Sequence, residues 1–395
     1  MRALTTVYHR FRLFERLLIC YSVGKNILYG DFIIMKVLKK IIKAVLTVVL
    51  VIVIIVAALV VFLSVTEWKP KDMEAAVLYG DTEKEVPADG EIHMLTWNIG
   101  YSALGKDEDF FMDGGKKVRP DSEEVVHVYL EGIKDTLETL DTDIVLFQEL
   151  DYDSRRSFYT DQREELFECM DRLYGGAGGS FSLNYSCRFV PYPFPVIGKV
   201  NSGLMTVSRF GVGEAVRYQL PLSFKWPVRM ANLKRGLLVS RAKVEGTDKE
   251  LVFVNMHLEA YAPAEAKIAQ SEMLRNILTD EYEKGNYVIA GGDWNMTFPD
   301  INPELYPVVD ADNFVAEVLD GDFCPEGWLL VHDGSVPTSR LLNMPYDPEN
   351  PQTQYYVIDG YIISPNIVPI SCETLDMQFE NSDHNPVYFT FSLQK

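Results

Sequence analysis

Cysteine motifs are missing from this sequence. Its five cysteines, Cys20, Cys169, Cys187, Cys324 and Cys372, form no CxxC pair and no Cys/His cluster, so no zinc site is expected. No glycine-rich loop of the kind that cradles phosphates is present, no internal repeat and no low-complexity block, which sets aside P-loop chemistry, solenoid architecture and disorder as the organising feature. Positive charge is also scarce, with 37 Lys and Arg against 57 Asp and Glu. Of these, nine basic and two acidic residues lie in the first 65 positions, leaving 28 basic against 55 acidic beyond them and a net charge of −27. A long polyanion gains affinity by releasing counterions to a basic surface, so this balance argues against general nucleic-acid binding and no stable nucleic-acid complex is expected. A local cationic groove stays open.

What is present is the composition of a packed globular protein, 47% hydrophobic and 24% charged, long enough for one large or two ordinary domains. One segment stands apart. Ala44 to Val65 runs for 22 residues without a charge or proline, and as a helix would extend about 33 Å, enough to cross a bilayer core. Lys36, Lys39, Lys40 and Lys43 precede it, while acids gather after Lys71, so the positive-inside rule keeps the N-terminal flank in the cytoplasm and sends the rest outside. Cleavage as a signal peptide is the weaker reading, because the run exceeds a usual h-region and no clear A-x-A site follows. The expected organisation is a cytoplasmic segment over 1–43, with Met35 as the expected true start, a transmembrane anchor over 44–65, a polar stalk over 66–90 and an exported domain over 91–395.

Along the exported part, EIHMLTWNIGY reads as a strand ending at Asn98, and TDIVLFQELD as a strand closing on Glu149. Between them a helix is predicted with Val125, Val128, Tyr129, Ile133, Leu137 and Leu140 on one face. REELFECMDRLYG is a second amphipathic helix, in which Cys169 is expected as a buried free thiol. KRGLLVSRAKV and KELVFVNMHLEAY pair as a hairpin through Gly246, the helix AEAKIAQSEMLRNILTDEYEKG precedes YVIAGGDWNM, and YYVIDGYIIS and NSDHNPVYFTFSL close the chain. Helices interleaved with many strands, some hairpin-linked, predict an α/β fold with mixed sheets.

Six of these strand-like runs end at or abut polar groups: Asn98, Glu149, His257, Asp293 with Asn295, Asp359, and Asp383 with His384. Singly, each has an ordinary explanation as a turn former or a satisfied core histidine. Jointly they collect at strand exits, where α/β folds place ligand sites. Oxygen donors without thiolates select Mg²⁺ or Mn²⁺, and a divalent ion beside histidines suits attack of water on a phosphoester.

The set TWNIG, FQELD, NMHLEAY, GGDWN, VIDGYI and SDHNPV resembles, in order and spacing, the endonuclease/exonuclease/phosphatase superfamily, over roughly residues 91–393. That resemblance implies a four-layer sandwich of two mixed sheets between helices, with one site at the top of the sheets. It implies Asn98 and Glu149 as metal-site residues, with Asp383 as a further ligand or second-site carboxylate. Asp293 would orient or deprotonate the attacking water, Asn295 would donate to the phosphorane and His257 would contact a phosphate oxygen. His384 would act on the phosphate or the water, Asp359 would hold His384 in one tautomer, and Arg235 matches a family arginine loosely. For substrate, three classes stay open: a lipid headgroup, to which the aromatic stretches RFVPYPFPVIGKV and PLSFKWPVRM are suited, extracellular nucleic acid or nucleotide, and a small phosphomonoester. A non-catalytic binding module on the same fold is the reading from another class.

Overall fold

The computed structural model describes residues 2–261 and 264–394. The chain divides into two compact units, Met1–Val65 and Thr66–Lys395. The first is a single helix, α1 (Arg2–Val65). Its stretch Ile34–Val65 is long and apolar enough to cross a membrane, a property that membrane spans and signal sequences share. Leu50, Ile52 and Val53 on it are more than half exposed, an apolar surface that water disfavours.

The second unit runs, in chain order, through β1 (Met73–Ala75), β2 (Val77–Gly80), β3 (Ile92–Asn98), α2 (Glu123–Thr139), β4 (Ile144–Asp151), α3 (Gln162–Tyr174), β5 (Gly178–Val190) and β6 (Gly198–Ser208). There follow β7 (Glu214–Gln219), β8 (Gly236–Lys243), β9 (Glu250–His257), α4 (Ala264–Glu283) and β10 (Tyr287–Asp293). A loop-rich stretch carries the short strands β11 (Met296–Thr297), β12 (Glu317–Val318), β13 (Leu329–Val331), β14 (Ser339–Arg340) and β15 (Tyr355–Tyr356). Then β16 (Asp359–Ile363), β17 (Ile367–Thr374) and β18 (Val387–Leu393) complete the chain.

Two mixed seven-stranded sheets result, ordered β1-β7-β8-β9-β10-β16-β13 and β17-β18-β3-β4-β6-β5-β2. Each contains one parallel pair, β9 with β10 and β3 with β4. Parallel neighbours need a crossover, supplied by α4 and α2, and both members of such a pair therefore end at the same edge. Between the sheets lies an apolar layer that includes Met94, Leu146, Phe253, Ile289, Tyr361 and Phe389. The opposite faces are covered by helices: Leu95, Val145 and Phe147 meet Leu130, Ile133, Leu166 and Met170 of α2 and α3, while Val252, Val254 and Val288 meet Leu274 and Leu278 of α4. This alternation along each strand is what a sheet buried on both faces requires, and it gives the expected four-layer sandwich.

Two expectations need correction. The segment expected as a polar stalk over 66–90 is built into the sandwich: β1 pairs with β7, β2 pairs with β5, and Val86 is fully buried and bridged to Val244. Its few apolar residues alternate too briefly to register as strands, yet they find partners at the two sheet edges. On α2, the buried face carries Val126, Tyr129, Leu130, Ile133, Thr136 and Leu137, whereas Val128 is exposed. The VVHVYL run offers apolar side chains on more than one face, and the packing against α3 and the sheet chooses among them. Cys169 is buried and free, as expected.

Candidate active site

The site grows out of the inter-sheet core by strand parity. Met94, Thr96 and Asn98 share one face of β3; Phe253, Asn255 and His257 share one face of β9; Ile289, Gly291 and Asp293 share one face of β10; and Ile363, Tyr361 and Asp359 share one face of β16. The deepest members are apolar and pack between the sheets. One step higher, Gln148 Nε2 donates to Asn255 Oδ1 at 2.8 Å and to Thr96 Oγ1 at 3.1 Å, and Asn255 Nδ2 donates to the carbonyls of Phe147 and Met205. This fully buried amide network ties the sheets together. Gly291 stands at the same level, where a Cβ would fall 2.5 Å from the Tyr361 ring and 3.0 Å from Leu146. The next step up places His257, Asp293 and Asp359 on one rung, since Asp293 pairs with His257 on one side and Asp359 on the other.

Glu149 reaches the site by breaking parity. The register of β4 against β6 shifts between Phe147 and Leu150, and Glu149 has φ +60°, in the left-handed region. Val145, Phe147 and Leu150 all pack toward the helices, so the bulge absorbs one residue and frees Glu149 from the alternation. Such backbone costs of order 1–3 kcal/mol and is concentrated at functional sites. Asn295, at φ +50°, is a second case.

His384 is the centre of the polar contacts. Its Nδ1 lies 2.8 Å from Asp359 Oδ2, and its Nε2 faces Ser339 Oγ at 3.3 Å, Asn98 Nδ2 at 3.5 Å and Asp293 Oδ2 at 3.8 Å. Asn98 Nδ2 lies 3.1 Å from Asp293 Oδ2 and 3.4 Å from Glu149 Oε1. His257 sits with Nε2 3.2 Å from Asp293 Oδ2 and Nδ1 3.8 Å from Glu149 Oε1. The backbone of SDHNPV is fixed from below: Trp97 Nε1 donates to the His384 carbonyl, and Ser382 Oγ donates to the Asn98 carbonyl. Asn295 donates its backbone N–H to Asp293 Oδ1 and one amide hydrogen to the Leu258 carbonyl, which leaves its second amide hydrogen.

Burial drives the protonation of these groups apart. Burial would depress His384, but the charges of Asp359 and Asp293 and the hydrogen bond to Asp359 hold it well above an ordinary imidazole. Burial, with Arg235 and His384 nearby, pushes His257 well below. Asp383 is raised to about 7, first by burial and then by the charge of Glu149. Asp293 is raised as well, by burial and the charge of Asp359. The two imidazoles are thus driven in opposite directions within a single cleft.

Of the sequence-predicted residues, Asn98, Glu149, Arg235, His257, Asp293, Asn295, Asp383 and His384 all line this cleft, with Asp359 directly behind His384. Arg235 is buried, and its Nε and Nη1 have no hydrogen-bond partner among the described residues. Sequence reasoning missed Ser339 and Arg340 and the wall formed by Tyr261, Phe314 and Tyr356. Thr338 beside them accepts the backbone N–H groups of Ile358 and Asp359 and so fixes the start of β16. Phe314, Thr338, Ser339 and Arg340 sit in a long stretch rich in Pro, Asp and Asn without periodicity, where no local pattern marks them, while Tyr261 and Tyr356 lie in runs whose pattern points to the neighbouring His257 and Asp359.

A family model described as "Endonuclease/Exonuclease/phosphatase family" matches residues 95–339. The chain belongs to this family. Its members are phosphoesterases, and the present chain has their fold. A solved structure of an endonuclease/exonuclease/phosphatase from Beutenbergia cavernae DSM 12333 is similar, with a TM-score of 0.53 and 19% identity, over 77% of this chain and 72% of that one. ANGEL2, a 2',3'-cyclic phosphatase, is similar with a TM-score of 0.50 and 12% identity, over 80% of this chain and 98% of that one. No curated protein matches the sequence. At these identities the likeness to the family's structures is one of fold, and the assignment of residues rests on the geometry above.

Proposed function

We propose that the unit hydrolyses a phosphoester by attack of water with a divalent cation, Mg²⁺ or Mn²⁺, and that α1 anchors it with the catalytic unit outside the cytoplasm. The observation that carries this reading is the charge arrangement of the cleft. Glu149, Asp293, Asp359 and Asp383 converge there, and among the described residues the buried Asp359 Oδ1 and the buried Nε and Nη1 of Arg235 have no hydrogen-bond partner. Oxygen donors in excess of cations fit a hard divalent ion, and a free buried guanidinium fits a phosphate. Asp293, Asp359 and His384 lie close enough to hold an ion, but Asp359 and His384 are engaged with each other at 2.8 Å. The family resemblance assigns the cation instead to Asn98, Glu149 and Asp383, which line the same cleft. When bound, it would neutralise developing charge on the phosphoryl group and acidify water.

The remaining roles follow from contacts. Asp293, beside both imidazoles, orients or deprotonates the attacking water. His384, protonated and held by Asp359, presents Nε2–H to a phosphoryl oxygen. The second amide hydrogen of Asn295 and the guanidinium of Arg235 donate to the other oxygens and His257 contacts one of them, which is the preorganised charge stabilisation that phosphoryl transfer needs. That every role is filled favours catalysis over a binding module. The test is a panel of phosphomonoesters, phosphodiesters, cyclic nucleotides, DNA and lipid-headgroup phosphoesters, each with Mg²⁺ and with EDTA. Hydrolysis that EDTA abolishes and Mg²⁺ or Mn²⁺ restores is expected. Full activity in EDTA, or recovery with zinc alone, would overturn the cation assignment.

A further inference from the structure

Two exposed loops flank the cleft at the same edge of the sandwich. Residues 191–197 join β5 to β6, and residues 220–235 join β7 to β8, ending at Arg235. Strand direction places both with the site, because β6 begins where β4 ends, Ser202 pairing with Asp151, and β8 begins where β9 ends, Leu238 pairing with Asn255. The strand leading into one loop is tied to the other loop, with Tyr185 OH donating to the Ala231 carbonyl and Cys187 Sγ to the Met230 carbonyl. On the first, Phe194 is 85% and Tyr192 68% exposed; on the second, Trp226 is 56% exposed and Leu222 and Val228 are about half exposed. Large apolar side chains displayed together on loops are costly in water and mark a surface meant for another phase.

The route of the chain says which phase. Val65 ends the apolar stretch of α1, and Glu67 is two residues on, within about 7 Å along the backbone. The Glu67 side chain is 4% exposed and is held by Lys234 Nζ at 2.9 Å and Arg229 Nε at 3.2 Å, both on the second loop. The same Lys234 ammonium donates to the Trp68 carbonyl, and the Trp68 ring lies against the Arg217 guanidinium. Lys234 immediately precedes Arg235, which lines the cleft. Charge agrees: from Arg172 to Val244 the chain carries one acidic residue, Glu214, against eleven Lys or Arg, in a protein of net charge −20. Lys225 and Arg188, on or beside the loops, are exposed.

We propose that this edge docks on a lipid bilayer, with Tyr192, Phe194, Leu222, Trp226 and Val228 entering the headgroup layer, so that the phosphoester offered to Arg235 belongs to a lipid headgroup. The proposal rests on the phosphoesterase reading and on α1 as a membrane span. Tyr192 and Trp226 suit the interface because one end of the ring system is apolar and the other polar, Phe194 adds apolar area, and the basic loop residues meet phosphate-bearing headgroups.

The test uses the full chain reconstituted in liposomes whose acyl chains carry bromine near the headgroup. α1 contains no tryptophan, so quenching reports the second unit, and the difference between wild type and W226F isolates Trp226 from Trp68. Quenching that falls in W226F is expected; equal quenching in the two would overturn the docking. In the second arm, F194S/W226S is assayed on one headgroup phosphoester presented in vesicles and as a short-chain soluble ester. Loss of about tenfold or more in kcat/KM on vesicles with the soluble ester unaffected is expected. Equal loss on both would show that the loops brace the site and would overturn it. So would a change of oligomeric state caused by F194S/W226S in detergent, which would assign the loops to a second copy of the chain. Wild type inactive on every phosphoester would defeat the hydrolase reading, while the quenching arm would still decide the docking.

Discussion

Burial alone would depress His384, and Asp359, 2.8 Å from its Nδ1, leads Asp293 and Asp383 in raising it well above an ordinary imidazole. The imidazole and the carboxylate therefore act as one unit, and their losses should not multiply. His384→Ala is expected to lower kcat by about 10²–10⁴-fold, the range for a positioned acid or base. Asp359→Asn should lower it in the same direction, and the double variant should be little worse than His384→Ala. A double-mutant cycle in kcat/KM checks this, with thermal melts to confirm folding; multiplicative losses would mean that Asp359 serves something other than His384. The residues of this pair were legible in the chain as VIDGYI and SDHNPV. Ser339, 3.3 Å from His384 Nε2, was not, because a serine in an aperiodic loop carries no mark of what the fold brings to it.

Elements position these residues through the two parallel pairs, and α4 is the crossover for one of them. Its end is clipped to the sheet by Glu281, which takes both Arg241 Nη1 and Nη2 at 2.6 Å and also meets Lys284 and Asn286. Burial would raise the Glu281 carboxyl, but hydrogen bonds and charge from Arg241 and Lys284 bring it down to about 2. A carboxylate depressed from an ordinary value near 4.5 stabilises the fold fully above that pH and loses the contribution as pH falls toward 2. Glu281→Gln should therefore lower Tm at pH 7, and the gap between wild type and variant should close between pH 4.5 and 2, as read by melts across that window. A gap that persists at pH 2 would assign the effect to packing. The helix itself was readable from its sequence; that its last turn is held by an arginine forty residues earlier was not, since the pairing depends on β8 lying beside β9.

Taken together, the sandwich begins earlier in the chain than its motifs do. A fragment starting at Thr66 keeps β1, β2, the Glu67 pair and Val86, while one starting at Glu91 discards them and leaves two sheet edges unpaired. Val86 alone is a fully buried valine, worth about 1.5–3 kcal/mol. The 66–395 fragment should be folded and active, and the 91–395 fragment should melt lower by about 5 °C or more. Equal melting temperatures would show that the edge strands contribute nothing.

Local pattern settled much of this protein. Period-two apolar runs announced the longer strands, helical spacing announced α2, α3 and α4, and a 22-residue uncharged run announced the Ala44–Val65 part of α1. The polar residues that end those strands were visible because they interrupt the apolar pattern at its boundary, a feature within reach of a few neighbouring positions. Their assembly was decided by the fold. Only sheet order puts His257, Asp293 and Asp359 on one rung, and only the packing of the second sheet against it brings Asn98 and His384, nearly three hundred residues apart, to the same place. The bulge that turns Glu149 inward, the unsatisfied buried guanidinium of Arg235 and the pairing of Glu67 with Lys234 belong to the same class. Each depends on which distant backbone lies opposite, and contacts of long sequence separation leave no periodic trace in the chain that makes them.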